Sequence, residues 1–155
     1  MRVLLERSDV NPNKTDRWDR TPLWWAAGNG HEGVVRTLLT RGDVNPDRVD
    51  RFGKTPLFKA ASNGHEGVVR MLLERDDVNP SKPNKLGQTP LWSAARGRHE
   101  GIVRKLLERA DVNPGHMDRF SRNPLSRAAG HGHQGVVRML LERNDVSFDK
   151  IDELS

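Results

Sequence analysis

Cysteine is absent from the chain, which excludes disulfides, thiolate metal centres and a cysteine nucleophile and leaves a reducing compartment open. Aromatic residues make up 5% and the whole hydrophobic set 34% of 155 residues, too little for one large globular core, so burial has to be achieved another way. No apolar run reaches membrane length, and Arg2-Val3-Leu4-Leu5 before Glu6 is too short for a signal peptide; a soluble intracellular, cytoplasmic protein is expected. Without a secretion signal, Asn13-Lys14-Thr15 is a chance match to a glycosylation acceptor in a loop. Charge of one sign is only moderately in excess: 26 Lys+Arg against 21 Asp+Glu gives +5, which favours acidic surfaces or nucleic acid without choosing between them.

What the chain does contain is a period. Thr21-Pro22-Leu23, Thr55-Pro56-Leu57, Thr89-Pro90-Leu91 and Asn123-Pro124-Leu125 recur every 34 residues. Asp9-Val10, Asp43-Val44, Asp77-Val78, Asp111-Val112 and Asp145-Val146 share that interval, as do His31-Glu32-Gly33, His65-Glu66-Gly67, His99-Glu100-Gly101 and His133-Gln134-Gly135. Three landmarks agree on one register, and no insertion interrupts it.

Within a unit, Thr21 can cap a helix while Pro22 occupies its first position, where a missing N–H is harmless; Asn123 caps equally well. Leu23, Ala26 and Ala27 share one helical face, and the alanines admit a neighbouring helix closely. Gly30 supplies the left-handed residue that stops this helix, and a second is predicted from about Glu32 to Arg41 with Val35, Leu38 and Leu39 as its stripe. Asp43-Val44-Asn45-Pro46 and Asp50-Arg51-Phe52-Gly53 then predict a projecting hairpin or loop. Such short helices are unstable alone, so each unit must bury its stripe against the next in a quasi-one-dimensional stack.

Thr-Pro-Leu, Ala-Ala, Gly-His, Val-Val, Leu-Leu and Asp-Val-Asn in this order resemble the ankyrin repeat over almost the whole chain. The resemblance implies an all-α solenoid of stacked helix-turn-helix units with projecting hairpin loops, and a binding rather than a catalytic role. The expected organisation is a single domain over 1-155: a partial repeat at 1-14 with the second helix only, full repeats at 15-48, 49-82, 83-116 and 117-150, and the start of another at 151-155. A fragment of a longer array follows from that division, similar to the large fungal receptors that join a NACHT-type domain to ankyrin repeats. A monomer is expected, with the truncated ends able to stack end to end at high concentration. The usual family period is about 33. The histidine often found after Thr-Pro-Leu is replaced by Trp24, Phe58, Trp92 and Ser126, and Arg98 stands where Gly30, Gly64 and Gly132 sit, which predicts a local distortion of that turn.

Gly28-Asn29-Gly30-His31-Glu32-Gly33 and Gly130-His131-Gly132-His133-Gln134-Gly135 match a dinucleotide-binding fingerprint, but they lie between two helices rather than after a strand, and Ser62 breaks the pattern. No cofactor is expected. The repeated histidines lie one helix layer apart, roughly 8–10 Å, too far to share one ion with ligands at about 2 Å, and no metal site is expected beyond a weak adventitious grouping of His116, His131 and His133. In ankyrin-like units this histidine ties the inter-helix turn by hydrogen bonding. Acidic residues lie beside arginines, as in Glu74-Arg75 and Glu108-Arg109, and read as solvated ion pairs rather than catalytic carboxylates. Asn11, Asn45, Asn79 and Asn113 are expected to satisfy local backbone groups. The chain is read as no enzyme.

In ankyrin-like stacks the variable surface comprises the hairpin tips and the inward face of the first helix. Comparing the units places candidate partner-binding residues at the tips (Arg17, Trp18, Arg20; Arg51, Phe52, Lys54; Lys85, Gln88; Arg119, Arg122) and on the first helices (Trp25, Lys59, Ser93, Arg127, with Asn29, Asn63 and Arg96 at their ends). Cations beside apolar residues suit a protein surface or an acidic peptide. Trp18, Phe52, Leu86 and Phe120 are equally consistent with hairpin packing, and Trp24, Phe58 and Trp92 read as an inter-repeat ladder. Two alternatives stay open: nucleic-acid binding through the basic tips, which Asp16, Asp19, Asp50 and Asp118 weaken, and a scaffold without a partner of its own.

Overall fold

The computed structural model describes residues 10–143. Eight helices follow one another as four antiparallel pairs, with no strand among the described residues: α1 (Pro22–Gly28) with α2 (Glu32–Leu39), α3 (Pro56–Asn63) with α4 (Glu66–Leu73), α5 (Pro90–Arg96) with α6 (Glu100–Leu107), and α7 (Pro124–Gly130) with α8 (Gln134–Arg143). Each first helix packs on the next first helix and each second helix on the next second helix. The expected all-α solenoid is therefore the fold; the expected partial helix near residues 1–9 and the unit start at 151–155 lie outside the described residues.

Capping follows the sequence closely. Thr21, Thr55 and Thr89 hydroxyls accept the N–H of Trp24, Phe58 and Trp92 at 3.0–3.1 Å, and Asn123 with Ser126 forms a reciprocal capping box. Leu57, Ala60, Ala61, Val68, Val69 and Leu72 are wholly buried at the centre of a core continuous along the stack. The second helix ends at Leu39, two residues earlier than predicted, because the Arg41 N–H turns back onto the Leu38 carbonyl and tightens the last turn.

Gly30 and Gly64 have φ of +73° and +80°, and a Cβ at either would collide with the imidazole of His65 or His99 from the following unit. Arg98 occupies the same left-handed region at φ +62° with the backbone bonds of Gly30, Arg98 N–H to Ala95 O and His99 N–H to Ala94 O. The distortion expected at Arg98 is thus corrected: the turn keeps its shape, and the strain of roughly 1–2 kcal/mol sits in the residue itself.

Beside the continuous apolar core, polar side chains of one unit bond to backbone carbonyls of the unit before it. His65, His99 and His133 Nε2 reach the carbonyls of Gly28, Ser62 and Arg96, one unit back, at 2.9–3.1 Å, so the histidine ties the preceding unit's turn rather than its own. Arg75 and Arg109 donate to the carbonyls of Leu39 and Leu73 at 2.7 Å and pair with Asp77 and Asp111, not with the adjacent glutamates. The solvated-pair reading of these arginines is corrected accordingly; they are inter-unit struts. Asn11, Asn45, Asn79 and Asn113 do accept a local N–H two residues on, as expected.

A second polar ladder has one misfit. Asn13 accepts the Asn45 N–H and donates to the Asp43 carbonyl, and Ser81 accepts the Asn113 N–H and donates to the Asp111 carbonyl. Asp47 accepts the Asn79 N–H at 2.7 Å, but a carboxylate has no proton to donate, and its Oδ1 is buried without a partner. Burial pushes its pKa above 3.8, opposed by the Asn79 N–H and Lys82 and reinforced by Asp77. Between 3.8 and the raised folded value the native state binds more protons than the unfolded chain, so this group's contribution to stability falls as pH rises through that window. Asp47→Asn, which supplies the missing donor without the charge, is expected to add roughly 1 kcal/mol at neutral pH and to flatten that slope. Urea melts of both proteins at pH 4 and pH 7 check it; an equal or lower midpoint for Asp47→Asn at pH 7 contradicts it.

Candidate binding surface

The tips are built from one recurrent turn. Asp16, Asp50, Asn84 and Asp118 each accept two N–H groups of their own loop, from the residues two and four positions on, at 2.9–3.0 Å. The fourth tip residue is left-handed throughout: Asp19, Gly53, Gly87 and Ser121 have φ of +59° to +79°. Each tip also donates an N–H to the tip before it: Arg51 to Trp18 O, Lys85 to Phe52 O and Arg119 to Leu86 O, at 2.9–3.0 Å. The tips therefore form a continuous ridge whose backbone polar groups are used internally and whose side chains are presented outward.

Those side chains divide in two. Arg17, Arg51, Lys85 and Arg119 are exposed, with Phe52 and Phe120 more than half exposed and Leu86 nearly so, whereas Trp18 is half-buried beneath the guanidinium of Arg17 at 3.8 Å and that of Arg20 at 4.2 Å. Tip packing thus accounts for Trp18 but not for the other three. At the base of the tip, Arg20 pairs with Asp16 and Arg122 with Asp118 at 2.8 Å, Asn84 donates to Gln88, and Lys54 lies over the rings of Phe52 and Phe58. Burial raises the pKa of both Asp16 and Asp118, but hydrogen bonds from the arginines and loop N–H groups outweigh it and hold both well below the usual carboxylate range.

On the first helices, Trp24, Phe58 and Trp92 are buried. Trp25 is 43% exposed, meets Trp24 edge to face, lies under Arg20 and donates its indole N–H to Asp16. Lys59 covers Trp24 and Arg127 covers Trp92, each from the following unit. Burial lowers the Lys59 pKa, helped by Lys54 and Arg20 and opposed by Asp50. Ser93 departs from the expected contact set: in the slot that holds Lys59 and Arg127 elsewhere, its small side chain is buried and presents no usable surface. Asn29 and Asn63 are exposed, but their amides are committed to the Trp25 and Gly28 carbonyls, while Arg96 is exposed at the end of α5.

The aromatic–cation stacking was not foreseen. Its only signal was that a cation in one unit stands 35 positions after a tryptophan in the preceding one, Trp24 to Lys59 and Trp92 to Arg127, whereas Ser93 follows Phe58. His131 and His133 stack on one another, yet each ring nitrogen in use meets a backbone carbonyl, and no group of three metal-ligating side chains occurs among the described residues. No helix among them is long and apolar enough to cross a membrane. Short helix pairs in a common register, capped by Thr-Pro and locked by a histidine to the unit before, are the architecture captured by the family model for ankyrin repeats in three copies, which matches residues 1–84 and 76–152; the chain belongs to the ankyrin-repeat family.

Proposed function

We propose that this stack binds a protein partner or acidic peptide through its tip ridge and the exposed face of its first helices, as part of a larger receptor or scaffold. Ankyrin repeats are non-catalytic modules of protein–protein interaction. The observation that supports this surface is a coincidence of variation with exposure: residues that hold the units together recur, while Trp25, Phe52, Leu86 and Phe120 vary between units and are 43–62% exposed beside cations. Large apolar groups with arginine neighbours are the usual anchors of protein interfaces, and they add nothing to a phosphate backbone's attraction.

Recovery of a partner on immobilised stack, compared with Trp25→Ala plus Arg51→Ala, tests the surface; unchanged recovery places the interface elsewhere. Titration with duplex DNA across salt concentrations separates the classes. Weak binding supports the protein reading, and tight, steeply salt-dependent binding overturns it.

A further inference from the structure

Cations on the first-helix side of the ridge are not spread evenly. Around the indole of Trp24 lie Lys59 at 5.2 Å and Arg20 at 5.3 Å, with Lys54 close enough to help depress the Lys59 pKa. Around Trp92 lie Arg127 at 5.4 Å and Arg122 at 5.6 Å. The unit between them is neutral at both equivalent positions, Gln88 and Ser93. Two cationic clusters thus flank a step that carries no charge at these two positions.

Each cluster keeps one cation without an ion-pair partner. No carboxylate lies within ion-pair distance of Lys59 or Arg127 among the described residues, although Arg20 and Arg122 are held by Asp16 and Asp118. The Nε of Arg127 and the indole Nε1 atoms of Trp24 and Trp92 are buried without a hydrogen-bond partner. A half-buried ammonium among like charges is relieved by a carboxylate oxygen.

We infer that the two clusters receive two acidic sites of one extended peptide segment running along the stack. Two helix layers span roughly 16–20 Å, and an extended chain advances about 3.3 Å per residue. The acidic sites therefore stand five or six residues apart, with uncharged residues between them over Ser93 and Gln88. The inference rests on the proposed binding surface and specifies which partner chemistry it takes.

The test uses three fluorescein-labelled peptides on a Ser/Gly/Ala background, each with four glutamates: two Glu-Glu dyads six residues apart, two dyads three apart, and four contiguous. Anisotropy at low salt is expected to rank the six-spaced peptide at least about ten-fold tighter, because engaging one cluster raises the effective concentration at the other. Lys59→Gln or Arg127→Gln, with melting curves showing an intact stack, should reduce the six-spaced peptide to the level of the contiguous one, and should weaken the contiguous one by no more than about two-fold.

Equal affinity for all three peptides, or no binding by any, overturns the inference. So does tighter binding of a thymidine oligonucleotide than of the six-spaced peptide. The surface itself is judged separately by the Trp25→Ala plus Arg51→Ala recovery experiment, so the spacing can fail while the surface stands.

Discussion

Leu72→Ala is expected to lower stability by about 2–5 kcal/mol, the range for truncating a fully buried leucine where the surroundings collapse only partly. Leu72 lies in α4, is completely inaccessible, and belongs to a core that runs through α2, α4 and α6. In a stack each unit is stable only against its neighbours, so a cavity in an inner unit weakens both adjoining interfaces at once. A fall of roughly 5–15 °C in Tm should accompany the change. Leu141→Ala, at a leucine 47% exposed on α8, should change stability by less than about 0.5 kcal/mol. Thermal melts of the two variants check the contrast; equal shifts contradict the core assignment.

Gly53→Val is expected to destabilise by about 2–3 kcal/mol and to disorder the ridge. At φ +79° a β-branched residue is strained, by roughly 1–2 kcal/mol for the left-handed backbone before branching is considered. Its Cβ would lie 2.9 Å from the backbone nitrogen of Lys85, the group that donates to the Phe52 carbonyl, and losing that bond removes about 1 kcal/mol more. Asp19 and Ser121 hold the same backbone conformation at their tips, so Gly53→Asp, which meets the same Cβ contact but tolerates this backbone region and is not β-branched, should be milder by about 1 kcal/mol. Chemical denaturation of the pair measures the difference, and indistinguishable midpoints contradict the argument.

Much of the fold was legible because its determinants are local. Thr21 with Pro22, Ala26 with Ala27 and the glycine at 30 act within a few residues of themselves, so period and residue chemistry suffice to place caps, faces and turns. The partners of His65, Arg75 and Asp47 were not legible, since each acts on an atom 32–37 residues away in another unit, and periodicity reports that a residue recurs without reporting what it touches. The binding surface suffered from the same blindness. Phe52 is exposed and Ser93 buried, and variation between units does not distinguish the two, which is why a varying serine looked like a contact and is in fact enclosed.

The histidine, arginine and tip joints between units point one way, whereas the Asn13 and Ser81 ladder also donates forward, to the Asp43 and Asp111 carbonyls. Histidine, arginine and tip N–H donors belong to the later unit, and the carbonyls that receive them belong to the earlier one. Since the histidine, arginine and tip joints use backbone carbonyls that recur every 34 residues, whole units can be added or removed while these joints are kept. The surface can therefore be extended by duplication and then diversified residue by residue on joints made by the backbone.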